Sequence, residues 1–179
     1  TLSGGLGLVA WAAALGIEAG LSLPQVAELA RAAAREVKFF GGLPNLEPLG
    51  RSGRVPWVAG WLSGRLRLGM VISVGGGHIR PVAPGWGARQ LLGKVAALAR
   101  ETISRMGKPL VLIPHAAAAG VAEALAGRVA EAAPGPDAEI YIVDASPALG
   151  VHAGLGAFGV ALLDRDRIEQ EIRRLEGET

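Results

Sequence analysis

The sequence contains no cysteine, which excludes disulfides and thiolate metal sites and fits a reducing, cytoplasmic setting. Aromatic residues make up only 4% of its 179 residues, so any core must rest on Ala, Leu and Val. Charge is scarce as well: Asp, Glu, Lys and Arg total 19%, with a formal net charge of +2. Combined with a 50% hydrophobic content, this excludes a disordered chain, which needs low hydrophobicity and high net charge. The arginines are scattered and no aromatic residues interleave them, so the pattern is not that of a nucleic-acid binder. No run reaches the roughly 18 uninterrupted apolar residues of a membrane-spanning helix. The apolar start, "TLSGGLGLVAWAAALG", lacks the basic region of a signal peptide. It also lacks an initiator Met and opens in mid-pattern, so the chain reads as part of a longer one.

What is abundant is glycine, with 27 residues, set between segments of clear periodicity. Leu6 to Ala19 reads as an Ala/Leu-rich helix ended by Gly20. A second helix follows, with Ser22 as N-cap, Pro24 in its first turn and Gln25 three residues after the cap. Val37 to Phe40 is a short strand that Gly41-Gly42 would end. This is the first strand signal, so a domain boundary is expected near residue 37. Met70–Val74 and His78–Val82 flank three glycines and predict a hairpin. Beyond it come a helix over 87–105, a buried strand over 110–114, a helix over 120–132, and strands over 139–144 and 159–163. A charged helix closes the chain, with Ile168, Ile172 and Leu175 on one face. Helices alternate with strands while the hairpin demands antiparallel pairing, which gives a mixed α/β sandwich rather than a doubly wound sheet.

Few residues in this frame carry chemistry. "GGLGL" opens a helix, but no GxxxxGK[ST] or strand-borne GxGxxG accompanies it. Arg51 and Arg54 share the loop "GRSGRV" and could hold a carboxylate or phosphate, or simply be solvated. His78, His115 and His152 are far apart and have no metal-ligand spacing; His78 and His115 read as surface or strand-end residues. Ser146 precedes Pro147 and is not in a nucleophile elbow, although Asp144 and His152 stand near it in the chain. His152 is set apart by its flanks. Gly150, Gly154 and Gly156 permit close approach or positive φ, and Val151, Leu155 and Phe158 make the surroundings apolar. Two readings stay open: a core histidine satisfied by backbone, or one polar contact for a ligand with a long apolar body.

Three stretches, "SGGLGLVAWAAALGIEAGLSLPQVAELA", "LEPLGRSGRV" and "LGVHAGLGAFGVAL", resemble, in order and spacing, the motifs of the DegV family of bacterial fatty-acid-binding proteins. The likeness runs from Ser3 to Leu163. Leu155, Gly69 and Trp86 depart from the family's frequent Pro, Pro and Arg. The resemblance implies a DegV-type sandwich in which residues 1–36 are the last helices of a Rossmann-like N-terminal domain, largely missing here, and residues 37–179 form the lipid-binding α/β domain. It further implies a non-catalytic carrier without metal or other cofactor. Such a carrier buries a long-chain fatty acid and presents its carboxylate to a fatty acid kinase, with at most transient contact with a membrane surface. On this reading His152 and Arg54 satisfy the carboxylate, while Gly154, Gly156, Val151, Leu155 and Phe158 build the wall around it. The alternatives are a phosphotransferase or hydrolase using the arginine loop, and an interaction module whose C-terminal helix packs on a partner.

Overall fold

The computed structural model describes residues 2–51, 68–133, 135 and 138–177. Arg54, with the rest of "GRSGRV" beyond Arg51, lies outside the described residues. Six strands, β1 (Lys38–Leu43), β2 (Gly69–Gly75), β3 (His78–Gly85), β4 (Pro109–His115), β5 (Glu139–Asp144) and β6 (Phe158–Asp164), form one sheet in the order β3-β2-β1-β6-β4-β5. All pairs are antiparallel except β4 with β5. The described helices are α1 (Gly4–Glu18), α2 (Leu23–Glu36), α3 (Glu47–Arg51), α4 (Gly87–Ile103), α5 (Ala119–Ala130), α6 (Pro147–Ala153) and α7 (Arg165–Glu176). The mixed α/β sandwich expected from the sequence is the architecture observed.

Two apolar clusters lie on opposite faces of the sheet. On one face α4 and α5 place Leu91, Val95, Ala99, Ile103 and Leu125 against Val71, Val111, Ile113, Val160 and Leu162. These residues recur on each helix at the three- and four-residue spacing of a single stripe. On the other face α1, α2 and α7 bring Leu8, Ala12, Leu29, Ile168 and Leu175 onto Leu110, Ala161 and Leu163. The C-terminal helix therefore spends its apolar face on its own chain. Gln25 ties the layer together: its Oε1 accepts from the Ser22 N–H at 2.9 Å, while its Nε2 donates to the Leu175 carbonyl at 2.7 Å.

The strand expected to stop at Gly41-Gly42 instead runs through them. Both glycines pair with β2 and with β6, and this two-sided ladder outweighs the weak strand preference of glycine. Pro81 and Pro84 likewise fall within β3, which among the described residues is an edge strand with no ladder partner on its outer side.

Candidate functional site

On the α1–α2–α7 face those helices cover β4 and β6, while β1 and β2 lie largely beyond them. Gly4 of α1 sits so close to the sheet that a Cβ there would lie 3.2 Å from Leu112 and 3.3 Å from Pro114. Beside it opens a cavity of about 200 Å³. Its floor crosses five strands: Ile79 from β3, Ile72 from β2, Phe39, Gly41 and Leu43 from β1, Gly159 from β6, and Pro114 from β4. At about 4.8 Å between neighbouring strands, this crossing covers about 19 Å, the scale of an extended long acyl chain.

Gly41 and Gly159 are direct cross-strand partners, and Ile72 continues the row from β2. Two glycines side by side leave a strip of sheet without side chains, and that strip is what makes room. The Phe39 ring leans over it, with Cζ 2.7 Å from where a Gly159 Cβ would stand. Leu49 from α3 and Leu149, His152 and Ala153 from α6 form the roof.

Among the described lining residues only His115 and His152 carry polar side chains. His115 ends β4, and His152 lies in the last turn of α6, beyond β5 in the chain. α6 lies against α3, which brings His152 to the sheet edge where β1 ends and β6 begins, while the β3 end offers hydrocarbon alone. The cavity is graded: apolar along its length, with hydrogen-bonding capacity at one end. Among the described residues no group of three or more His, Cys, Asp or Glu side chains could hold a metal.

α6 was not predicted from the sequence, and it reorganises the residues around His152. Ser146 caps it, its Oγ accepting from the Leu149 N–H at 3.3 Å. Residues 149, 152 and 153 share the inward face of one helical turn. Val151, on the other face, is 72% exposed, and Leu155, beyond the helix, is 81% exposed. The two expected wall residues thus point away from the cavity, because the apolar flanks of His152 were read without the helix that separates its faces. Gly154 and Gly156 both adopt positive φ, at +82° and +84°. What approaches them is the chain's own α3 region: a Cβ on Gly154 would meet Pro48 at 2.9 Å, and one on Gly156 would meet Pro44 at 3.7 Å. Phe158 touches the cavity, but its ring packs over Gly42 with the opposite cluster.

His115, read from the sequence as a strand-end side chain, borders the cavity, yet as the cross-strand partner of Phe158 it is carried on the α4–α5 face of the sheet. It is buried, and its Nδ1 accepts from the Ala118 N–H at 3.3 Å and lies 3.6 Å from Asp144 Oδ1. The available signal was its place at the end of the apolar "LVLIP" strand, where sheet topology rather than local sequence decides what it faces. Ser146, by contrast, is a helix cap. No hydrogen bond links it to His152 or Asp144 among the described residues, so their nearness in the chain does not make a triad.

A six-stranded mixed sheet with short helices α3 and α6 over an apolar cavity on one face defines an α/β protein with a pocket between sheet and helices. The chain belongs to the DegV family: the family's sequence profile, described as "uncharacterised protein, DegV family", matches residues 1–165. No curated protein matches the sequence. Among solved structures, a DegV family protein of Corynebacterium glutamicum superimposes with a TM-score of 0.79 at 22% identity, covering 89% of this chain and 59% of its own. A Thermus thermophilus DegV family protein, described for its fatty acid binding, gives a TM-score of 0.79 at 20% identity, with 89% and 57% covered. The fatty acid kinase B3 protein of Streptococcus pneumoniae, loaded with linoleic acid, gives 0.69 at 20% identity, with 81% and 50% covered. At these identities the likeness establishes the fold. The chain spans little more than half the length of the solved structures it matches.

Proposed function

We propose that this protein binds a long-chain fatty acid, with the acyl chain lying across the strands over Gly41 and Gly159 and the carboxylate directed to the histidine end. The observation that carries this reading is the apolar cavity over the paired glycines, which His152 borders from α6. Each buried methylene contributes about 0.8 kcal/mol, so a chain of roughly 15 methylenes offers about 12 kcal/mol of gross burial. Association and ordering consume several kcal/mol of that. The head needs few contacts, chiefly so that a carboxylate is not left unpaired. His152 supplies one, and Arg54, which follows α3 in the sequence and lies outside the described residues, is the candidate counter-charge.

The fatty acid bound by the Thermus and Streptococcus proteins supports the ligand class, and the name of the latter supports a carrier that presents its ligand to a fatty acid kinase. In this role the protein does no covalent chemistry itself. Native mass spectrometry and lipid extraction of the purified, intact protein test the reading: a co-purifying long-chain acid is expected. Finding none, together with no binding of added palmitate or oleate, would overturn it. Replacing His152 by Ala should lower palmitate affinity by about 10-fold while changing hexadecanol affinity less, as befits a hydrogen bond to a charged group. Equal losses in calorimetric titrations would make His152 a packing residue.

A further inference from the structure

The face of the sheet opposite the apolar cavity carries a recess of its own. Phe40, whose side chain packs with the α4–α5 cluster, is the cross-strand partner of Ser73, and Ser73 is the partner of Arg80. These three side chains therefore stand in one row across β1, β2 and β3, on the α4–α5 face. Lys38, two residues before Phe40, projects from the same face. The register sets Gly75 of β2 level with Lys38, and a Cβ on Gly75 would meet nothing within 4 Å. The recess has a volume of about 330 Å³. Phe40 forms a wall, Ser73 lies on the floor, and the gap at Gly75 falls on the strand between the two cations.

Among the described residues no acidic side chain lines this recess. Lys38 and Arg80 are both exposed, and neither side chain has an ion-pair partner among the described residues. An adjoining recess shares Lys38 and Phe40, but its carboxylates are engaged elsewhere. Glu36 pairs with Arg167 at 3.5 Å, and Asp164 accepts from the Gly107 and Lys108 N–H groups at 3.2 Å. Two like charges around one gap repel until an anion stands between them. We propose that this recess binds a phosphate monoester, with its phosphate between Lys38 and Arg80 and its organic part against Phe40. Such a phosphate carries about −1.5 to −2 charge at pH 7, which matches two cations where a carboxylate matches one. Arg offers a planar fork of donors suited to phosphate and Lys a compact point charge, while the Ser73 hydroxyl supplies a further donor. This site is separate from the cavity over Gly41 and does not rest on the fatty-acid reading.

The test titrates phenyl phosphate, inorganic phosphate and benzoate into the intact protein and into its Lys38→Gln, Arg80→Gln and doubly substituted variants, at constant ionic strength. Amide shifts in nuclear magnetic resonance spectra report the binding. Phenyl phosphate should bind saturably, with shifts centred on Lys38, Ser73, Gly75 and Arg80. Inorganic phosphate should bind about 3-fold more weakly for want of a ring against Phe40, and benzoate at least about 5-fold more weakly than phenyl phosphate because it carries a single charge. Each single substitution should weaken phenyl phosphate by about 2- to 5-fold, the scale of an exposed charge pair, and the double substitution should abolish saturation. Added sodium chloride should weaken binding to the wild-type protein. No saturable binding, shifts centred elsewhere, or a double variant that binds as well as the wild type would overturn the proposal. Affinity for benzoate or inorganic phosphate equal to that for phenyl phosphate would overturn the monoester as its ligand.

Discussion

Two pairs of glycines face each other across strands of this sheet, and they meet opposite fates. Gly69 and Gly85 are partners between β2 and β3. Leu91 of α4 fills the space above them so closely that a Cβ on Gly69 would lie 2.7 Å, and one on Gly85 2.8 Å, from its methyl groups. Gly41 and Gly159 are partners between β1 and β6, and what stands beside them is the edge of the Phe39 ring and the Ile72 side chain, both from the sheet itself. The first pair lets a helix sink into the sheet; the second leaves a floor. Glycine thus does not specify a cavity. What decides is whether a neighbouring element delivers a side chain into the gap, and over β1 none of the described helices does so.

This contrast can be broken from either side. The largest effect is expected at the filled pair. Replacing Leu91, which is fully buried, by Ala should cost about 2–5 kcal/mol, measured by urea denaturation. A loss well below that range would mean that α4 collapses easily onto the glycines. Gly42 and Gly41 are adjacent but face opposite sides of β1. A Cβ on Gly42 would stand 2.4 Å from the Phe158 ring, so Gly42→Ala should destabilise by about 1–3 kcal/mol through overpacking. Gly41→Leu places a side chain in the cavity itself. It should cut palmitate affinity by at least about 10-fold, or 1.4 kcal/mol; unchanged binding in a fluorescence competition assay would show that the acyl chain runs elsewhere. Gly41→Ala should be the mildest. Its nearest contact would be Ile72 at 3.2 Å, beside open space, and the gain from a stiffer unfolded chain, about 0.4–1 kcal/mol, offsets the crowding. If Gly41→Ala costs as much as Gly42→Ala, the two faces do not differ as described.

The same contrast explains what could be read from the sequence. The layers were legible because their signals are local: the Ser22–Gln25 cap, the four-residue spacing on α4 and the glycine hairpin all report structure within a few residues. The identity of the motif around His152 was legible as a pattern, and the graded cavity does include that residue. The orientation of its neighbours was not. Val151 and His152 are adjacent, and only the turn of α6 sends one out and the other in. That helix is just seven residues long, too short for an apolar period to announce it. His115 was missed for a different reason. Its surroundings come from the loop before β6 and from the end of β5, and nothing in "LVLIPHAAAAG" shows which chain segments will meet there.

The pairing of Gly41 with Gly159 also bears on how the molecule comes into being. The two residues are separated by most of the sequence, and β1, although early in the chain, borders its last strand. Contacts of such separation carry a high loop-closure cost and form late. While the chain is being synthesised, β1 can gain its β2 side early, but its other edge must wait for β6. Until then an apolar strand with unpaired backbone groups stands open, a liability for association with other chains. The floor formed by Gly41 and Gly159 is complete only when β6 joins β1, so the hollow and the closing of the sheet go together.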